Sequence, residues 1–249
     1  MEWYHFLAVI GVGFLAGIIN TLAASGSLLT LPLLIALGLP PIEANGTNRI
    51  AILLQNIVAV GRFRQKKVLD LKQGSLIGIP AIIGSIVGAQ IAVSIDNDLM
   101  GKAIGGVLVL MFFVVLLRPN RFLNSREGNP PVPKWLQYII FFFVGVYGGF
   151  LQAGVGFFLL TGLVLGCGFD LVKANGIKVL IILLYTPIAL AVFMLNDQVN
   201  YGMGFLLAAG NMLGAWVGAN MAVKWGAAFL RYFLLLAILI ASLKLLNIF

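Results

Sequence analysis

The residues best placed to do chemistry in this chain lie inside an apolar stretch. Between positions 44 and 61 the amide and charged side chains are Asn45, Asn48, Arg49, Gln55 and Asn56. With Ile52 filling the gap, they fall at steps of 0, 3, 4, 7, 10 and 11, the spacing of one face of a helix. Shifted by 130 positions, a second apolar stretch presents Asn175, Lys178, Ile182, Tyr185 and Thr186 on the equivalent face, with Val179 opposite Arg49. Polar and charged groups are expensive in such surroundings and mark functional sites. At about 1.5 Å per residue, Arg49 and Lys178 each lie roughly 10–13 Å along their helix. No Asp or Glu sits at that depth, because Glu43, Asp96, Asp98, Asp170 and Asp197 all fall near segment ends. An anion from outside the chain would complement the two cations, helped by amide donors from Asn45, Asn48 and Asn175. The competing expectation is that both long side chains snorkel to an interface.

Each polar stretch is preceded by a small-residue break, 23–27 in the first half and 152–156 in the second. Interrupted helices at matching positions point to a binding site in transporters, because freed N–H groups and helix N-termini hold anions. Ser25, Gly26, Ser27 and Thr30 therefore join the expected anion site from one side, and Gln152 and Gly154 from the other. Asn20, Thr47 and Tyr185 complete the set. Catalysis has no foothold: His5 is the only histidine and lies beside the N-terminus, and no carboxylate pair is available as base or nucleophile. One His and one Cys (Cys167) do not build a common metal site, and no cofactor is expected.

These side chains must be positioned by membrane helices. The chain has 249 residues, 61% hydrophobic and 10% charged, with a mean hydropathy of +1.06. Ordinary soluble domains are about 45–50% apolar and about 25% charged, so a soluble enzyme, a disordered chain and a nucleic-acid-binding module are excluded. The expected class is an all-α polytopic protein of about 8–10 membrane segments, counting short or broken ones, at roughly 20 residues per span. Apolar stretches run at 3–22, 26–38, 44–61, 74–95, 99–117, 135–153, 156–168, 171–195, 200–222 and 227–248. The first lacks the basic leader of a cleaved signal and reads as a retained helix. The net charge of +8 fits basic loops that hold orientation, which places the protein in the cell membrane as a multi-pass chain and the basic stretch 62–72 in the cytoplasm.

The halves echo one another. Ala44-Asn45-Gly46 recurs as Ala174-Asn175-Gly176, and the block 84–93 recurs at 214–223, both at an offset of 130. With a two-residue shift, Gly17–Asn20 matches Gly149–Gln152. The expected organisation is a first repeat over 1–118, a cytoplasmic linker over 119–134 and a second repeat over 135–249. Five crossings per half make the repeats inverted. A rival scheme makes 26–38 and 156–168 re-entrant, with four spans per half and parallel repeats. Gly pairs four apart, such as Gly13/Gly17, Gly84/Gly88, Gly145/Gly149 and Gly210/Gly214, allow close helix packing in lipid.

Pro32 to Pro41 (PLLIALGLPP) followed by Glu43–Asn48 (EANGTN), with the second-half echo Gly148–Gly156 (GGFLQAGVG), resembles the signature of the sulfite exporter TauE/SafE family. That resemblance implies secondary transport of a small anion by alternating access, the substrate being sulfite, thiosulfate, sulfoacetate or a related sulfur-containing or organic anion. A run of glycines common in the family is reduced here to Gly26 within 23–27. A passive anion channel with the same lining is the alternative. The expected partners are the small anion and the lipid bilayer, with a proton or sodium ion as candidate coupling ion. Direction of transport and oligomeric state stay open.

Overall fold

The computed structural model describes residues 3–22, 26–117 and 132–245, with side chains described over 5–22, 26–111 and 132–225. Among them every regular element is a helix. In chain order they are α1 (Trp3–Leu22), α2 (Ser27–Ala36), α3 (Pro41–Gln65), α4 (Leu71–Ser94) and α5 (Asn97–Leu117), then α6 (Lys134–Phe150), α7 (Val155–Thr161) with a π-helical turn (Gly162–Gly166), α8 (Leu171–Leu195) and α9 (Tyr201–Leu245). Four described segments are long and apolar enough to cross a bilayer: His5–Leu22, Leu71–Ser94, Leu171–Leu195 and Tyr201–Trp225. The protein is a multi-pass α-helical membrane protein.

Local chemistry sets the helix ends. Pro41 opens α3, where its fixed φ suits the first turn and its missing N–H is no loss. Glu43 in the first turn and Arg62 and Arg64 in the last complement the α3 dipole. Asp70 caps α4 by accepting from the Gln73 N–H at 3.0 Å, and Asp170 caps α8 by accepting from Val172 and Lys173, each at 3.0 Å. The segment 152–154 leaves the helical path through positive φ at Gln152 (62°) and Gly154 (72°).

Two helix pairs pack backbone to backbone, α1 with α9 and α6 with α4. A methyl group on Gly84 or Gly88 would collide with the carbonyl oxygens of Phe142 and Val146, and one on Gly210 or Gly214 with those of Ile10 and Phe14. The glycines are thus what permit contact in lipid, where apolar surface gives little drive for association. Around these pairs, α3 packs on α9 and α8 on α4.

The start of α1, the end of α2 and the starts of α3 and α9 meet at one face, around Phe6, Leu39, Glu43 and Asn200. At the opposite face the α3–α4 turn meets the start of α8, around Lys67, Asp70, Asp170 and Lys173. Accordingly α3 and α8 run antiparallel: Gly46 lies against the Gln198 carbonyl, and Phe63 shares a cluster with Leu171 and Val172. At 10 residues, α2 is about 15 Å long and does not cross a core of about 30 Å. The hairpin α1–α2 returns to the face it entered. The rival scheme tied short segments to parallel repeats; here short segments coexist with antiparallel long helices.

Two sequence expectations change. First, the hairpin match at Gly17 and Gly149 is one turn out of register. In space Gly17 meets the Asn211 carbonyl as Gly145 meets that of Ala81, an offset of 128, and the breaks at Gly26 and Gly154 differ by the same 128. Glycines recurring every four residues let the comparison slide by one helical turn. Second, 200–222 and 227–248, expected as separate spans, belong to one continuous helix through Leu245, because no proline or turn pair divides them. Most of the expected linker 119–134 lies outside the described residues, and α6 begins at Lys134.

Candidate functional site

The two buried cations are held by the ends of broken helices. A helix leaves its last four carbonyls without intrahelical donors and carries negative partial charge there. α6 ends at Phe150, and Arg49 on α3 supplies donors to that end. Its Nη1 donates to the Gly148 carbonyl at 3.1 Å and to Gln152 Oε1 at 3.0 Å. Its Nη2 donates to the Gly149 carbonyl at 2.5 Å. The guanidinium also lies 4.5 Å from the centroid of the Phe193 ring on α8, a cation–π contact. One turn earlier on α3, Asn45 Nδ2 donates to the Phe150 carbonyl at 2.7 Å.

The other half repeats the arrangement with a different cation. α1 ends at Leu22, and Lys178 Nζ on α8 donates to the carbonyls of Asn20 at 2.9 Å and Thr21 at 3.3 Å. Both cationic side chains are fully buried, so neither snorkels to an interface. Among the described residues they are the only charged members of the buried polar set, and neither forms an ion pair.

Amides and hydroxyls tie the breaks to the long helices. Asn48 accepts from Thr30 Oγ1 at 2.7 Å and donates to Ser27 Oγ at 3.3 Å, fastening α2 to α3. The Gly26 N–H donates to Asn20 Oδ1 at 2.7 Å, and Asn20 Nδ2 donates to Gln55 Oε1 at 3.1 Å. Gln152 Nε2 donates to Thr186 Oγ1 at 3.4 Å. The Tyr185 hydroxyl lies against Gly148, where an added methyl would meet it at 2.8 Å. Several buried polar atoms among the described residues have no hydrogen-bond partner: both amide atoms of Asn175 and of Asn211, Asn45 Oδ1, Arg49 Nε and Tyr185 Oη. Among the described residues, an interior with two cations, unengaged donors and no buried carboxylate is complementary to an anion.

The model of the sulfite exporter TauE/SafE family matches residues 9–245. The chain belongs to that family. Similar curated proteins include a probable membrane transporter protein of Haemophilus influenzae, 29% identical over 225 residues, covering 88% of this chain and 86% of the relative. A probable membrane transporter protein ORF9 from Sinorhizobium sp is 25% identical over 244 residues, with 98% and 93% covered. The probable membrane transporter protein YfcA of Escherichia coli is 29% identical over 239 residues, with 94% and 87% covered. No solved structure matches.

In this TauE/SafE protein the expected site residues fall into joined groups. Asn45, Arg49 and Gln152 gather at the end of α6, while Asn20, Gly26, Ser27, Asn48 and Lys178 gather around the end of α1 and the start of α2. Asn175 is buried one turn before Lys178 on α8. Thr47 faces elsewhere, its Oγ1 accepting from the Asn200 N–H at 2.8 Å at the start of α9. Gly154 meets Met111 of α5 rather than a polar group. Ser25 lies outside the described residues. The expected set omitted Thr21, Phe193 and Asn211. The Thr21 carbonyl carries no side-chain signal, Phe193 is one of 18 phenylalanines, and Asn211 is one of two amides, with Asn220, in the apolar run of α9.

Proposed function

We propose that this protein is a secondary transporter of a small anion, with sulfite, thiosulfate, sulfoacetate and related anions as the substrate class. The observation that carries this reading is the pair Arg49 and Lys178, fully buried and without a carboxylate. Carbonyl dipoles offset only part of the cost of burying a full charge. The anion binds between the ends of α1 and α6, where Asn175, Tyr185 and Arg49 Nε have unengaged polar atoms. Its charge replaces carbonyl contacts that loosen as it enters.

The two halves act as inverted repeats, each a helical hairpin followed by long helices. The antiparallel course of α3 and α8 supports this assignment, as does the matching cation-to-carbonyl contact in each half. The face carrying Arg64, Lys66, Lys67, Lys72 and Lys173 is cytoplasmic, by the excess of positive charge there. Alternating access arises as the hairpins move against the α3/α8 pair and open Arg49 and Lys178 to one face at a time.

The test is counterflow in proteoliposomes carrying the full chain, preloaded with unlabelled sulfite, thiosulfate or sulfoacetate and given the labelled anion outside. A carrier gives saturable exchange, with transient accumulation of label. Unsaturable flux without counterflow assigns the lining to a passive channel instead. No flux of any of these anions overturns the substrate assignment.

A further inference from the structure

The two cations hold corresponding hairpin ends, one in each half, but differ in chemistry. Arg49 is permanently charged, whereas a lysine can serve as either ammonium or neutral amine. Lys178 meets two backbone carbonyls and no anionic group. The carbonyls of Asn20 and Thr21 accept a hydrogen bond from an ammonium or from a neutral amine, so the contact survives loss of the proton. Arg49 makes three hydrogen bonds and an aromatic contact, a fixture suited to a charge that never leaves. One turn before Lys178 on α8, both amide atoms of the buried Asn175 have no hydrogen-bond partner.

On the elements packed against α8, the charged and titratable groups are few. α3 carries Arg49, with Glu43 near its start and Arg62 and Arg64 near its end. α4 carries Asp70 and Lys72 at its start, and Asp70 pairs with Lys173 at 3.2 Å. α6 carries Lys134, Tyr138 and Tyr147, α1 carries His5 near its start, and Cys167 follows the π turn. Over the described side chains, α9 carries Tyr201 at its start and Lys224 well along it, and α8 itself carries Lys173 and Tyr185 with Asp170 before it. Among the described residues, no carboxylate is within ion-pair distance of Lys178.

We propose that Lys178 is the proton-binding site of the transport cycle, which makes this protein a proton–anion symporter. This rests on the reading of the site as an anion site. With the anion bound, Nζ is an ammonium. When the anion leaves, Nζ gives its proton to water on the same face and becomes a neutral amine, and the empty carrier returns with Arg49 as the one charged member of the pair. Each turnover therefore moves one proton with each anion, and the lysine regains its proton from water on the loading face.

The experiment uses wild-type protein in liposomes with the membrane potential clamped at zero and labelled thiosulfate as probe, an anion that stays fully ionised near neutral pH. Counterflow at equal pH tests the anion site alone, and its absence overturns that reading and this one together. Given counterflow, an outside more acid by about one pH unit should drive about tenfold accumulation, with a trapped pH dye reporting proton entry. Counterflow without accumulation or proton entry overturns the coupling proposal and leaves the anion site standing. In Lys178→Arg, whatever exchange remains should be indifferent to the pH gradient. A Lys178→Arg protein that still accumulates label under the gradient would assign the proton to another group.

Discussion

Lys178 on α8 donates to the carbonyl oxygen of Asn20 in the last turn of α1 at 2.9 Å, although 158 positions separate them in the chain. Arg49 stands in the same relation to Gly148 in the last turn of α6. Each long helix thus grips the broken hairpin of the opposite half through a cation and a row of carbonyls. The grip is polar, reversible and placed where the chain leaves its helix, which suits a contact that must yield to a substrate.

Arg49→Lys should separate charge from geometry. An ammonium on a shorter stem keeps the positive charge but does not span the Gly148 and Gly149 carbonyls and Gln152 together. At least one buried acceptor then loses its donor, at a cost of about 1–3 kcal/mol. Thermal unfolding in detergent should show a lower midpoint, and exchange should fall by at least about tenfold. A midpoint equal to wild type would mean the carbonyl contacts contribute nothing to holding α6.

Gly88→Ala should destabilise through the α4–α6 contact, since the new methyl collides with the Val146 carbonyl oxygen. Overpacking of this kind costs about 1–3 kcal/mol. Gly61→Ala is the control, because nothing lies within 4 Å of the methyl position and alanine favours the helix by about 1 kcal/mol. Yield of monodisperse protein should fall for the first and hold for the second. Equal behaviour would remove the glycines from the packing account.

Asp70 should make the α3–α4 turn acid-sensitive. The Gln73 backbone N–H holds its carboxylate below the ordinary value of 3.8, with a further contribution from the Lys173 ammonium. A depressed native value stabilises the fold above the ordinary carboxylate range and loses that contribution as pH falls through the native value. Asp70→Asn should therefore flatten the dependence of thermal stability on pH below about 4, with little change at neutrality because the pair is partly exposed. An unchanged acid limb in that variant would show that the cap carries no pH-dependent stability.

The polar stripe was legible because each of its members interrupts an apolar run at helical spacing. Its partners were not, since Arg49 and Lys178 bind backbone carbonyls, and any residue type offers a carbonyl. A search for carboxylates at matching depth leaves the cations without a partner in the protein; the helix ends provide one that no residue identity announces. The hairpin register was ambiguous for a related reason: glycines every fourth residue make α1 and α6 match at two registers, and only the close packing of Gly17 on the Asn211 backbone and of Gly145 on the Ala81 backbone selects one. The fusion of the last two apolar stretches into α9 follows from the absence of a breaker near Gly226, which a hydropathy minimum at Lys224 and Trp225 conceals.

The central claim is that Arg49 holds a transported anion, and counterflow by Arg49→Ala tests it most directly. Variant and wild type are reconstituted at equal amounts of folded, monodisperse protein and assayed with labelled sulfite, thiosulfate and sulfoacetate. The account predicts saturable exchange of at least one of these anions by the wild type and a loss of about 100-fold or more in the variant, the scale of about 2.7 kcal/mol. Exchange by Arg49→Ala at the wild-type rate would contradict it.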